Sequence, residues 1–231
     1  MDASSLRVLN DARRSRQAAL LVTDLEDGGQ RVILEGEAVA GHLSDHVAKA
    51  LLSGKSEAVE LAGRKLFLNV YLPPPRIVVI GAVHISQALA RLVPVAGYDL
   101  TIIDPRTAFA TPERFAEVDL VAEWPEDVLA SRPLDAYTAL VAVTHDPKID
   151  DYPLMEALRR GCFYVGALGS RKTHSKRVAR LSADGIDEDA IGRIAAPIGL
   201  DIGAATPAEI AVAILAQIVQ AYRRRSPVTG E

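Results

Sequence analysis

The pattern of apolar and polar positions changes at three consecutive prolines, Pro73–Pro75. After them, short uninterrupted apolar runs alternate with segments in which apolar residues recur every three or four positions. Such runs are typical of strands buried on both faces, and the intervening segments are typical of helices. Strands that alternate with helices favour a mostly parallel sheet with helices on both faces. We therefore predict an α/β, Rossmann-like domain over residues 76–225, with strands at Ile77–Ile80, Leu100–Ile103, Asp119–Ala122, Ala139–Val143, Cys162–Ala167 and Arg193–Ala196.

The helices of this second domain have recognisable ends. A helix follows Gly81, and Gly97 is a plausible stop. We predict a further helix over Tyr152–Arg160 and a basic helix after Lys172. In the last helix, Thr206 and Glu209 match a capping box with proline at the first helical position. Its apolar stripe predicts core packing or a dimer face, at Ile210, Ile214, Ile218 and Tyr222.

Residues 1–72 have a different pattern, typical of a small α+β domain. Two strands flank the hairpin signal Asp27–Gly29, a helix begins near Leu43, and a second strand pair precedes the prolines. A helix over residues 4–16 opens the chain. The three prolines would act as a semi-rigid linker between the domains.

The stretch Arg76–Asp104 resembles a dinucleotide-binding unit, in which a turn after the first strand directs a helix N-terminus at a phosphate. Asp104 follows Gly81 by 23 residues, which suits an acceptor for ribose hydroxyls. The glycine fingerprint is incomplete, because Val83 and Ser86 occupy its second and third positions. The pattern therefore indicates the fold more strongly than an NAD-like binding mode.

Composition and charge narrow the class of protein. The 231 residues are 49% hydrophobic and 24% charged, as in globular proteins, and the net charge of −4 argues against nucleic-acid binding. One cysteine, Cys162, excludes an internal disulfide framework, and its strand context predicts a buried apolar role. No apolar run approaches the ~20 residues of a membrane span, and no secretory signal opens the chain, so we expect a cytoplasmic protein.

Several polar groups follow predicted strands, where open α/β sheets bind their ligands. Phosphates would bind the turn after the first strand and the small hydroxyl with two cations after the fifth. Arg106 could hold a phosphate, or pair locally with Asp104; His84 could donate to a ligand or be a capping residue. We expect no structural metal, because no ligand set has the required spacing. The candidate binding residues are Gly81, Ala82, Val83, His84, Asp104, Arg106, Thr144, His145, Asp146, Gly169, Ser170, Arg171, Lys172, Gly199 and Asp201.

Residues 76–222 closely resemble the XdhC/CoxF (CoxI) family, accessory proteins of molybdenum hydroxylases such as xanthine dehydrogenase and carbon monoxide dehydrogenase. The run from Pro197 to Ala211 is the longest and most specific match. Other matching segments are Gly81–His84, Asp104–Arg106 with Phe109 and Ala110, Thr144–Asp146 and Tyr164–Lys172.

The resemblance implies a maturation factor without turnover of its own. It would bind the molybdenum cofactor, possibly as the cytosine dinucleotide, support its sulfuration with a cysteine desulfurase, and deliver it to an apo-hydroxylase; homodimers are implied as well. Residues 1–72 depart from the family pattern, because Gly36–His46 lacks the family's Gly-Gly-Cys motif. The alternatives are an NAD(P)-dependent oxidoreductase and a cofactor-free interaction subunit.

Overall fold

A four-stranded antiparallel sheet with two helices forms the first of two units into which the chain divides. The structure is a computed structural model that describes residues 2–225. Within this range, the first unit comprises residues 2–73 and 223–225. The sheet order is β2-β1-β4-β3. The elements are α1 (Ala3–Arg14), β1 (Ala19–Asp24), β2 (Gln30–Leu34), α2 (Leu43–Ser53), β3 (Glu57–Leu61) and β4 (Arg64–Tyr71).

Local sequence signals account for the helices of this unit. The Asp2 side chain accepts hydrogen bonds from the amides of Ser4 and Ser5, and thereby begins α1. Gly54 adopts a left-handed conformation that ends α2. The apolar face of α1, including Leu9, packs on β1 through Leu21. The sheet therefore has one face covered by α1.

The second unit, Pro74–Tyr222, is built around a six-stranded parallel sheet. A short 3-10 helix, Pro94–Ala96, precedes its second strand. In chain order the elements are β5 (Arg76–Ile80), α3 (His84–Leu92), β6 (Asp99–Ile103), β7 (Asp119–Val121), α4 (Pro125–Ser131), β8 (Thr138–Ala142), α5 (Pro147–Arg159), β9 (Tyr164–Ala167), α6 (Arg171–Ala183), α7 (Glu188–Gly192), β10 (Ile194–Ala195) and α8 (Pro207–Arg224).

The strand order β10-β9-β8-β5-β6-β7 reverses direction between β5 and β8. The chain first builds outward from β5 to β7, then returns to place β8 on the other side of β5. Ile80 pairs with Ile103 on one side and with Ala142 on the other. The residues that follow β5, β6 and β8 therefore emerge at the same level, and the reversal opens a crevice between them.

Apolar helices cover both faces of this sheet, which confirms the predicted Rossmann-like α/β fold. On one face, Leu140 packs with residues of α4 to α7, such as Leu154 and Leu181. On the other face, Val79 packs with residues of α3 and α8, such as Ile214. The predicted stripe of α8 lies mainly in this core, because its members Ile214, Ile218 and Tyr222 are buried.

Helix α5 begins earlier than the sequence predicted. It starts at Pro147 rather than at Tyr152, because the Asp146 side chain accepts a hydrogen bond from the Lys148 amide and proline suits the first helical position. Pro153 lies inside the helix, where a sequence rule expects a break. The earlier start places Asp150 in the first turn of α5, beside the crevice.

Candidate functional site

The turn after β5 is held against the end of β8. Gly81 has φ +118°, and a Cβ at this position would lie 2.8 Å from Thr144 Cγ2. A larger residue would therefore push the two strand ends apart. Two of the predicted binding residues, Gly81 and Thr144, are thus brought together by the fold.

The N-terminus of α3 has no side-chain cap. Its N-cap residue is Val83, which carries no acceptor, and the first helical residue, His84, is exposed. Backbone N–H groups in a first turn can bind an anion. Ser86, at the third fingerprint position, is fully buried, and its hydroxyl donates to the Gly81 carbonyl at 2.5 Å. The serine thus secures the turn that a glycine would only have left room for.

Asp104 is committed to holding this turn. Its fully buried carboxylate accepts hydrogen bonds from the amides of Ala82 (2.7 Å) and Arg106 (2.9 Å), and from Arg106 Nε and Nη2 (2.9 and 2.8 Å). Burial alone would raise the pKa of Asp104, but these hydrogen bonds together outweigh it and hold the pKa below its usual value. A ribose could bind this carboxylate only if Arg106 moved away.

Arg114 also fixes the turn, although no motif in the sequence pointed to it. Its Nη1 donates to the carbonyl oxygens of Ala82 (3.0 Å) and Phe109 (2.7 Å), and its Nη2 donates to Gln87 (3.2 Å). The Arg106 guanidinium lies 4.5 Å from the centre of the Phe109 ring. No sequence signal distinguishes Arg114, because its partners come from distant segments.

The segment after β8 is strained and is organised by Asp150. His145 has φ +64°, a left-handed conformation that non-glycine residues rarely adopt. Asp150, 1% exposed, accepts hydrogen bonds from the Thr144 hydroxyl (2.7 Å) and the His145 amide (3.1 Å). Strained backbone of this kind clusters at binding and active sites. Burial raises the pKa of Asp150 to about 6, despite these hydrogen bonds and the nearby Arg177.

Helix α6 follows β9 and begins with the predicted phosphate motif. Ser170 is the N-cap, and its hydroxyl accepts from the Thr173 amide. Arg171 and Lys172 are exposed in the first turn, where the helix dipole disfavours cations. Gly169 has φ +139°, and a Cβ there would lie 3.1 Å from Thr173. Glycine therefore permits the tight entry into α6.

A cleft of about 240 Å³ lies between α5 and α6. It brings together His145 and Lys172, which were both predicted, with acidic and basic groups that were not. Arg177 is the most buried of its basic groups, 2% exposed, and burial lowers its pKa. The lining is His145, Pro147, Asp150, Asp151, Lys172, Thr173, Lys176, Arg177 and Arg180.

The glycine-rich loop before α8 contributes differently from the prediction. The lining of the cleft includes neither Gly199 nor Asp201. The Gly199 amide donates to Gln217 at 2.8 Å, and a Cβ at Gly199 would lie 3.0 Å from Ala213. Gly199 is therefore needed for close packing on α8, while Asp201 is exposed.

Cys162 is fully buried, and burial raises the pKa of its thiol to about 12. The predicted apolar role of this cysteine is thus consistent with its surroundings. Within residues 2–225, no group of three or more His, Cys, Asp or Glu side chains is placed to hold a metal ion. Over the same range, none of the helices has the length and apolar character that a membrane crossing requires.

Three relatives match roughly two thirds of the chain. The uncharacterized protein YqeB of Escherichia coli K12 is 30% identical over 155 residues, 67% of this chain and 29% of the relative. A probable xanthine dehydrogenase subunit of Bacillus subtilis 168 is 30% identical over 160 residues, 69% and 46%. The molybdenum cofactor insertion chaperone PaoD of Escherichia coli K12 is 28% identical over 149 residues, 64% and 40%. The chain thus spans less than half the length of each relative.

A solved structure and a family model also match this chain. A crystal structure described as a xanthine dehydrogenase from Bacillus halodurans matches 96% of this chain and 65% of its own, with a TM-score of 0.64 and 24% identity, which shows a shared fold. The model of the XdhC Rossmann domain family matches residues 77–218. The predicted resemblance to XdhC is confirmed, and this chain belongs to the XdhC Rossmann domain family.

Proposed function

We propose that this protein is an accessory factor that binds the molybdenum cofactor and assists its insertion into a hydroxylase of the xanthine dehydrogenase or carbon monoxide dehydrogenase type. Membership of the XdhC family supports this proposal. So do the names of two relatives, a molybdenum cofactor insertion chaperone and a probable component of xanthine dehydrogenase. The observation that carries the proposal is the crevice beyond β5 and β8, which combines an uncapped helix N-terminus with a neighbouring cationic cleft.

The residues around the crevice fit an anionic ligand. The first turn of α3, from Gly81 to His84, offers backbone N–H groups, and Arg171 and Lys172 offer positive charge at the start of α6. The cofactor would bring the molybdenum centre that the hydroxylase uses. The residues of this chain would bind and orient the cofactor until transfer. The nucleotide content of the purified protein would decide whether the cytosine dinucleotide form is preferred.

The partners follow from the same proposal. An apo-hydroxylase would receive the cofactor, and a homodimer would be the binding form. Because Cys162 is fully buried, we propose that a cysteine desulfurase rather than this chain would supply sulfur. The NAD(P) alternative has little support, since the Asp104 carboxylate that would hold a ribose is engaged by Arg106.

The test is the molybdenum and nucleotide content of the full chain, purified from a molybdenum-replete host that co-expresses an empty hydroxylase. We expect molybdenum and pterin in equal amounts, and activation of the hydroxylase on mixing. The double variant Arg171→Ala/Lys172→Ala should carry several-fold less molybdenum. A matched control, Arg91→Ala/Arg159→Ala, removes the same charge from exposed positions outside the cleft and should retain it.

Two results would contradict the proposal. Bound NAD or NADP without molybdenum would identify an oxidoreductase. A protein that captures the hydroxylase but carries no cofactor would be an interaction subunit. Light scattering of the same preparation would test the homodimer.

A further inference from the structure

Arg177 is a buried guanidinium whose hydrogen-bonding capacity is only partly used. Its Nη2 donates to the Leu168 carbonyl at 3.0 Å. Its Nε and Nη1 atoms are buried and have no hydrogen-bond partner among the described residues. Buried donors without acceptors are rare, because they lose their hydration without replacement. The side chain lines the cleft between α5 and α6, so an acceptor bound there would complete its hydrogen bonds.

The carboxylates that share this cleft do not serve as that acceptor. Asp150 uses its two oxygens to hold the backbone and hydroxyl of Thr144 and the amide of His145. Asp151 accepts two hydrogen bonds from Arg180, at 2.5 and 3.0 Å. Each acid thus already has partners other than Arg177. The attraction of Asp150 and Asp151 for Arg177 acts only through space.

The remaining cations converge on the same space. Lys172 and Lys176 are four residues apart, as are Thr173 and Arg177, so all four lie on one side of α6. With Arg180 neutralised by Asp151, three cations face one carboxylate, Asp150. The local charge is therefore positive in a protein whose net charge is −4. These cations also lie in the first two turns of α6, where the helix dipole favours an anion.

We propose that this cleft is a binding site for a phosphate-class oxyanion, with the buried Arg177 fork as its central donor and Lys172 and Lys176 as its charge partners. A tetrahedral oxyanion presents several acceptors at once, which suits a planar fork between two ammonium groups. A cleft of about 240 Å³ holds several water volumes, so a phosphate would fit with part of the molecule attached to it.

The inference rests on the proposed function only for which molecule carries the phosphate. If that molecule is the molybdenum cofactor, its phosphate would bind between α5 and α6 while the rest extends toward the crevice. The site itself is defined by the Arg177 side chain and its neighbours. It is therefore testable without any cofactor.

The first experiment is calorimetric titration of the full chain with inorganic phosphate at low ionic strength. We expect Lys172→Ala/Lys176→Ala to weaken binding roughly tenfold or more, because two charge-assisted contacts are lost. Both side chains are exposed, so the fold should persist. The control Arg91→Ala/Arg159→Ala should stay within about twofold. Equal weakening by both variants, or no phosphate binding to the unaltered protein, would overturn the proposal.

A second measurement avoids substituting the buried arginine. In 15N NMR spectra, the Arg177 Nε–H resonance should shift on addition of phosphate, with assignment by its loss in Arg177→Lys. Arg177→Lys keeps the charge but not the fork, and should weaken phosphate binding roughly tenfold. A resonance that stays in place at saturating phosphate would contradict the assignment of Arg177 as the central donor.

The source of the phosphate is resolved by comparing inorganic phosphate, cytidine monophosphate and cytidine. Tighter binding of the monophosphate than of inorganic phosphate identifies the phosphate of a larger ligand, and equal binding identifies free phosphate. Cytidine that binds as tightly as its monophosphate would overturn the proposal. Phosphate binding in a protein that never carries molybdenum would leave this site intact and refute the proposed function.

Discussion

Arg106 and Asp104 form a bidentate ion pair in which Nε lies 2.9 Å from Oδ1 and Nη2 lies 2.8 Å from Oδ2. The pair follows β6, and Asp104 also accepts a hydrogen bond from the Ala82 amide in the turn after β5. The pair therefore joins two strand ends of the crevice. An acidic residue at a position that often binds ribose serves here to fix the protein backbone.

Removal of Arg106 should destabilise the second unit. Arg106→Ala would leave the fully buried Asp104 carboxylate without its cationic partner, and we expect the free energy of unfolding to fall by about 2–3 kcal/mol. Urea denaturation provides the measurement. Arg132→Ala breaks an exposed ion pair with Asp119 and should cost less than about 1 kcal/mol. Equal losses in the two variants would show that the Asp104 pair has no special role.

Alanine at Gly81 should be costly for two separable reasons. The new Cβ would clash with Thr144 Cγ2, and φ +118° is unfavourable for any L side chain. Gly161→Ala is the matched control, because Gly161 also has positive φ but has nothing within 4 Å of the new Cβ. By thermal unfolding, we expect Gly161→Ala to cost about 1 kcal/mol and Gly81→Ala about 1–3 kcal/mol more. A similar loss in both would remove the steric argument.

The buried Asp150 should make stability depend on pH. Its pKa is raised from 3.8 to about 6, so the folded protein retains a proton that the unfolded chain releases. The contribution of this residue to stability is therefore greatest below pH 4, falls as the pH rises from 4 to 6, and levels off above that. The loss should be about 3 kcal/mol.

The difference between unaltered protein and Asp150→Asn isolates this effect, because asparagine resembles the protonated acid. We expect the free energy of unfolding of the unaltered protein, minus that of the variant, to fall across pH 4–6. Urea denaturation at closely spaced pH values measures it. A difference that is constant, or that rises with pH, would contradict the raised pKa.

The start of α8 offers a test of local capping. Thr206 and Glu209 bond reciprocally: Glu209 accepts from the Thr206 amide at 2.9 Å, and the Glu209 amide donates to the Thr206 hydroxyl at 3.3 Å. Thr206→Ala should lower the free energy of unfolding by about 1 kcal/mol. Amide hydrogen exchange should accelerate first at residues 205–210. Replacement with serine, which keeps the hydroxyl, should restore most of the loss.

Features with local signals could be predicted from the sequence. The unit from Arg76 to Asp104, the capping box at Thr206 and the buried stripe of α8 depend on spacing within one segment, and the structure contains all three. The basic character of α6 was also visible. What could not be predicted was which of its cations turn inward.

The unpredicted site residues depend on contacts between distant segments. Asp150 was missed because Pro153 suggested a later start for α5, although Asp146 and Pro147 begin the helix normally. Arg177 becomes special only because Leu168 and α5 bury it. The ribose role of Asp104 was expected from spacing alone, and the neighbouring Arg106 was weighed only as an alternative.

The return of the chain to place β8 beside β5 has a consequence for synthesis. Gly81 meets Thr144, and the cleft also needs Lys172, Lys176 and Arg177, so no early fragment contains the whole crevice. A nascent chain that ends before α6 would lack the cations that we assign to the oxyanion. Cargo can therefore be captured only late in translation, after most of the parallel sheet has been released from the ribosome.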